Sequence, residues 1–171
     1  MKVEKSSDRI SGIDQFIERN CKNMDKYTEA SKRLIGFLDV NPSPFHVADA
    51  LGKMYEKAGF KRLYEKEKFE VKRGANYFVT RNNSAIIAFR VPEEEFKGFN
   101  ITAAHSDSPT FKIKANAEIT AEKNFVKLNV EKYGGMLMAP WFDRPLGIAG
   151  RVMVKNGSKI EECLLHIDRD I

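Results

Sequence analysis

The sequence predicts an α/β protein in which helices come first and strands follow. Three observations predict it. Apolar residues recur at helical spacing over Tyr27–Leu38 and again over Phe45–Ala58. From Tyr77 onward, β-branched and aromatic residues gather instead in short runs. Those runs are separated by Arg81-Asn82-Asn83-Ser84, Gly134-Gly135 and Asn156-Gly157, all of which read as turns.

In the first helix, Tyr27, Ala30, Leu34, Phe37 and Leu38 fall on one stripe that is expected to be buried. Asn41-Pro42-Ser43-Pro44 breaks it. Ser43 is placed to cap a second helix and Pro44 to occupy its first turn, where a missing N–H costs nothing. Phe45, Ala48, Leu51, Tyr55 and Ala58 form the apolar face of that helix, and Gly59 ends it in a left-handed cap. Tyr77–Thr80 and Ala85–Val91 then read as a hairpin, and Phe99–Ala104 as a further apolar strand. Phe111–Ile113, Val126–Val130, Gly147–Val154 and Cys163–Ile167 complete a mostly antiparallel region. The change of character places a boundary near Phe111–Ala115, giving parts 1–112 and 113–171. Phe45, Phe78, Phe89 and Phe99 are the expected core aromatics.

A length of 171 residues suits one domain, or one domain with part of a second. With 42% hydrophobic and 31% charged residues, a collagen-like, low-complexity or largely disordered chain is excluded. A chain of this size is expected to bury roughly two thirds of its unfolded surface. No apolar run approaches the roughly 20 residues that cross a bilayer, so no membrane association is expected. Met1–Lys26 lacks the continuous apolar stretch of a secretory signal, and the cytoplasm is the expected location. Cys21 and Cys163 lie far apart without a CxxC or a neighbouring His/Cys cluster, which argues against a disulfide scaffold or a zinc ribbon. The net charge of +5, from 29 basic and 24 acidic residues, is spread along the chain and reads as a solvated surface. The basic and aromatic residues around Lys72–Arg81 alternate as a half-exposed hairpin does, and no nucleic-acid partner is expected.

Chemistry concentrates at Ala103-Ala104-His105-Ser106-Asp107-Ser108-Pro109, where an apolar run ends abruptly in a polar cluster. Ligands and reactive groups gather at the C-terminal ends of strands in open α/β sheets. His105 and Asp107 are two apart, so on an extended backbone they share a face. An imidazole that binds a metal through one nitrogen commonly gives its other N–H to a carboxylate. By spacing alone, the same residues are equally a histidine and an aspartate capping a loop. A serine triad of His105, Asp107 and Ser106 or Ser108 is a poorer reading still, because such close neighbours do not easily converge in the required geometry. Gly134-Gly135 lacks the spacing of a phosphate-binding loop and reads as a tight turn. Trp141 and Phe142 read either as interface anchors or as ordinary core aromatics.

His105-Ser106-Asp107-Ser108-Pro109 resembles the HTDSP-type motif of the M18 metallo-aminopeptidases, the aspartyl aminopeptidase and aminopeptidase I group. Asn41-Pro42-Ser43-Pro44-Phe45-His46 is similar to the family's SPSPFH segment. Tyr77–Asn82 with Ala85–Phe89 resembles its hairpin. Tyr133-Gly134-Gly135, and Trp141–Leu146 running into Ala149–Val152, resemble its YGG, WFDRxL and AGRV segments. The matches keep the family's order over nearly the whole chain. Ser106 stands where many members have threonine, a conservative change.

The resemblance implies the N-terminal part of a zinc-exopeptidase α/β domain over 1–112, followed by part of an inserted, β-rich dimerisation domain over 113–171. It implies two zinc ions per active site, with His105 a ligand of one and Asp107 the carboxylate supporting it. Leu164–Ile171 resembles a dimerisation-domain segment whose histidine reaches the partner subunit's active site. Carried over, His166 would help bind the substrate carbonyl as charge develops on it. Trp141 would then face a subunit interface. The implied reaction is removal of the N-terminal residue from peptides with a free N-terminus by zinc-activated water. The implied assembly is a homodimer and a higher homo-oligomer such as a dodecamer. A two-zinc site needs further acidic and His ligands, which the family supplies after the dimerisation domain. The only three histidines here are His46, His105 and His166, and His46 reads as structural. The expectation is therefore an N-terminal portion that is inactive alone. The alternative is a non-catalytic dimerisation or assembly module derived from such an enzyme.

Overall fold

A computed structural model describes residues 24–167, so the expectations for the stretch before Met24, Cys21 included, and for residues 168–171 lie outside it. The chain divides into two compact units, Met1–Val40 and Asn41–Ile171. The first holds helix α1 (Met24–Val40) among the described residues. The second holds helix α2 (Pro44–Lys57) and strands β1 (Lys61–Leu63), β2 (Asn76–Arg81), β3 (Ala85–Arg90), β4 (Thr110–Ala121) and β5 (Phe125–Tyr133). A single 3-10 turn at Ala139–Trp141 and strands β6 (Ile148–Asn156) and β7 (Lys159–Ile167) complete it.

Helix α1 forms where the periodicity places it, but its apolar stripe is not buried. Tyr27, Leu34 and Leu38 are exposed and Phe37 is half-buried. Among the described residues of its unit, no second element covers the stripe. Helix α2 follows its local signals closely. Ser43 is its N-cap, its hydroxyl accepting from the His46 N–H, and Pro44 takes the first position. Gly59 ends it at φ +82°, a conformation that glycine adopts without steric cost.

Strands β1, β2 and β3 form one sheet in that order, β1 parallel to β2 and β2 antiparallel to β3. The hairpin turn is tight because Asn82 and Asn83 both take positive φ, 51° and 49°, and asparagine tolerates that region better than most residues. The core lies between this sheet and α2. Phe78 is fully buried and Ala48 nearly so, while Tyr77, next to Phe78 on the strand and so on the sheet's other face, is nearly buried as well. Gly52 faces the Phe78 ring, and a Cβ there would sit 3.5 Å from it, in ordinary van der Waals contact. Tyr77 uses its ring against Phe89 and its hydroxyl to accept from the Lys72 N–H at 2.9 Å. Strand β1 was not expected, since three residues are too few to show an alternation.

Strands β4 and β5 form one antiparallel hairpin and β6 and β7 another. Strand β4 is longer than Phe111–Ile113, running on through Lys114–Ala121, where polar residues continue to alternate with Ala115, Ala117, Ile119 and Ala121. Its pairing shifts register between Ile113 and Glu118. The expected boundary between 112 and 113 falls inside this strand.

The strand expected over Phe99–Ala104 is a correction: the segment joins no sheet, and Phe99 and Ile101 are 79% and 85% exposed. A strand exists only through a partner's backbone, and apolar composition does not supply one. Phe99 therefore leaves the list of core residues, while Phe45 and Phe89 are half-buried. The architecture is a mixed α/β fold whose first strands pack on a helix and whose later strands are hairpins.

Candidate functional site

The segment between β3 and β4 carries His105–Pro109, and three contacts fix it. The His105 and Asp107 side chains meet, 3.1 Å apart from Nδ1 to Oδ1, across a bend at Ser106 and not along the strand on which a shared face is expected. Tyr133, the last residue of β5, donates its hydroxyl to the other Asp107 oxygen at 2.5 Å. Ser106 donates to the Ser84 carbonyl in the β2–β3 turn at 3.0 Å. Beyond them, Gly134 takes φ +73° beside Pro109, whose Cβ would lie 3.5 Å from an added Cβ. The Tyr133-Gly134 corner thus closes the β4–β5 hairpin against this segment, in register with the Thr110–Tyr133 pair.

The Tyr133 hydroxyl first, and His105 second, hold the Asp107 carboxyl below the usual carboxylate range. In turn Asp107 pushes the Tyr133 phenol up. With Nδ1 on a carboxylate and its side chain 92% exposed, His105 keeps Nε2 available to a ligand. A carboxylate on the far nitrogen is the arrangement that fixes ring orientation and tautomer in metal-binding histidines. The residues fit one zinc ligand and its supporting carboxylate. Among the described residues, no three His, Cys, Asp or Glu side chains gather to hold a metal ion.

His166 is brought to His46. It stands on β7 opposite Ala149, and its ring meets the His46 ring edge-on with centroids 6.0 Å apart. His46 is also anchored, its Nδ1 lying 2.7 Å from the Ser43 hydroxyl. Partial burial lowers the His46 pKa most, the His166 charge lowers it further, and Asp49 opposes both.

Arg151 was visible only as one letter of a motif, yet it ties three elements together. Its guanidinium lies 4.2 Å from the centre of the Phe45 ring on α2. It donates to the Asn82 carbonyl at 2.9 Å and to the Asn82 side-chain oxygen at 3.2 Å. It also pairs with Glu162 of β7 at 3.3 Å, and the Asn83 amide donates to the same carboxylate. Beside this network lies a cleft of about 380 Å³, lined by Phe45, Asp49, Lys53, Arg62, Thr80 and Glu162 among others. Within it Lys53 pairs with Asp49 at 2.7 Å, and Arg62 donates to the Thr80 hydroxyl at 2.9 Å.

Trp141 packs edge-on against Phe111, ring centres 5.8 Å apart, with Phe142 on the same ring at 6.5 Å. Sequence reasoning missed the Tyr133 bond, the Arg151 network and the His46–His166 contact. All three are long-range pairings, and their only trace in the sequence is that Tyr133, Asn82, Arg151 and His46 sit inside recognisable motifs.

Residues 37–171 match the family described as aminopeptidase I zinc metalloprotease (M18). A probable M18 family aminopeptidase 2 of Clostridium acetobutylicum is 45% identical over 152 residues, which cover 86% of this chain and 35% of that protein. Similarity to a cryo-EM structure of the Ape4 and Nbr1 complex reaches a TM-score of 0.74 at 39% identity, over 79% of this chain and 26% of that one. The S. cerevisiae mApe1 dodecamer gives 0.70 at 27% identity, over 82% and 34%. The chain spans about a third of the length of the curated relatives it matches. On these matches, the chain belongs to the M18 family of zinc metallo-aminopeptidases.

Proposed function

We propose that this chain supplies part of the catalytic centre of a metal-dependent aminopeptidase that removes the N-terminal residue from peptides. The observation that carries the reading is the His105–Asp107 pair, a solvent-facing imidazole backed by a carboxylate 3.1 Å away, within a segment that matches a zinc metalloprotease family. His105 would hold one metal through Nε2. Asp107 would keep its Nδ1–H occupied and so hold the ring in the ligating tautomer. Zinc, when bound in such a site, supplies the Lewis acidity that activates water for peptide hydrolysis. One imidazole is not a sufficient ligand set, so these 171 residues on their own are proposed to be inactive.

Residues 1–112 are assigned to the exopeptidase domain and 113–171 to an inserted dimerisation domain. The two hairpins after Pro109 and the dodecameric relative support that assignment. A cytoplasmic location remains part of the same proposal. The role across a subunit interface is proposed for His166 with a test of its own, since its contact here is with His46 of the same chain.

The experiment is a chimera in which this chain replaces the matching 152 residues of the Clostridium relative. Chelator-sensitive hydrolysis of aminoacyl chromogenic substrates is expected, with His105→Ala losing one metal and nearly all turnover. His166→Ala is expected to keep the metals and lose turnover. A folded chimera that stays fully active and fully metallated with His105→Ala would sink the assignment.

A further inference from the structure

The metal-ligating role proposed above accounts for His105 and Asp107 but not for Tyr133, whose side chain the fold delivers from a different hairpin. Tyr133 is the last residue of β5, paired with Thr110 at the first residue of β4. Its hydroxyl reaches back to Asp107 Oδ2 at 2.5 Å, while Asp107 Oδ1 faces His105 Nδ1. The carboxylate is therefore held at both oxygens. A carboxylate held by one partner swings about its side-chain torsions. One held at both oxygens presents a fixed acceptor to the imidazole, which selects the Nδ1–H tautomer and orients the ring. The backbone on either side is pinned as well, by Ser106 on the Ser84 carbonyl and by Pro109 against Gly134.

We infer that Tyr133 is a positioning residue for the metal-binding histidine: it acts through Asp107 to hold His105 with Nδ1 protonated and Nε2 open to a metal. The inference rests on the reading of His105 and Asp107 given above. It adds a link to that reading, because the residue that sets the ligand's orientation belongs to the β4–β5 hairpin rather than to the ligand's own segment. Disturbance of that hairpin's open end, where Thr110 pairs with Tyr133, would thus reach the ligand through one side chain.

The test is histidine side-chain nitrogen NMR on the full 171-residue chain, above the pH at which His105 is protonated. The wild type is expected to show the Nδ1–H pattern at His105. Tyr133→Phe removes only the hydroxyl and is expected to move His105 toward the Nε2–H pattern, while His46 and His166 stay unchanged. Asp107→Ala is expected to move it further. A shift in Asp107→Ala with none in Tyr133→Phe overturns the role of Tyr133 and leaves the His105–Asp107 pair standing. No Nδ1–H preference in the wild type, or no response to Asp107→Ala, overturns the pair itself and the inference with it. Should Tyr133→Phe fail to fold, Asp107→Asn approaches the bond from the other side. It is expected to move the Tyr133 ring carbon that bears the hydroxyl, and an unmoved signal overturns the inference.

Discussion

Replacement of Arg151 by alanine removes the contact that joins β6 to both α2 and the β2–β3 turn. The side chain is only 20% exposed, so its interactions are partly shielded from water. Two hydrogen bonds to Asn82 and one ion pair to Glu162 are lost together. At about 1 kcal/mol net for each hydrogen bond, these would give about 2 kcal/mol, and the ion pair at most about 1 more. The stack on Phe45 at 4.2 Å adds about 0.5–1 kcal/mol. Glu162 keeps the Asn83 amide, which limits the cost of stranding it. Because such terms are not additive, the expected loss is about 2–3 kcal/mol. Arg151→Lys keeps the charge but cannot fork onto Asn82, and should lose about half as much. Urea unfolding followed by far-UV circular dichroism measures the total. Hydrogen exchange of the β6–β7 amides locates it, since that hairpin should open first. A double-mutant cycle with Phe45→Leu isolates the stack, with an expected coupling of about 0.5–1 kcal/mol. A loss below about 0.5 kcal/mol for Arg151→Ala, the range of ordinary surface changes, would refute the reasoning.

Ser43→Ala removes the α2 N-cap and the hydroxyl beside His46, and should cost about 1 kcal/mol in the same unfolding assay, a value that an unchanged midpoint would contradict. His46 should titrate below the ordinary histidine range, because burial and then the His166 charge favour its neutral form. A folded pKa below the unfolded one gives stability that is complete above the ordinary histidine range and is lost as the pH falls through it toward the folded value. Proton NMR titration should show His46 rising part of the way back in His166→Ala, since burial remains, and an unmoved His46 would mean that the two rings do not interact.

Much of the second unit was legible because its signals are local. Ser43, Pro44 and Gly59 bound α2 through their own backbone chemistry, and the Asn82-Asn83 turn fixes the hairpin on either side of it. Where the outcome depended on a distant partner, the sequence was mute. Phe99–Ala104 has strand composition but finds no strand to pair with among the described residues, whereas Lys114–Ala121 continues the alternation of Phe111–Ile113 and its last four residues pair with β5. The α1 stripe has the right period, and period alone does not say what covers it. At the candidate site, a spacing of two on an extended backbone suggests the His105–Asp107 pair, yet the pair forms across a bend at Ser106 and not on a strand. Tyr133 reaches Asp107 only because β4 and β5 fold back on each other, a fact that no local window contains.

The central claim is that His105, backed by Asp107, is a metal ligand. Zinc titration of the labelled chain, read at each of its three histidines, tests it most directly. The account predicts weak binding that perturbs Nε2 of His105 and is abolished in His105→Ala. A response confined to His46 and His166, with His105 unmoved, would contradict it.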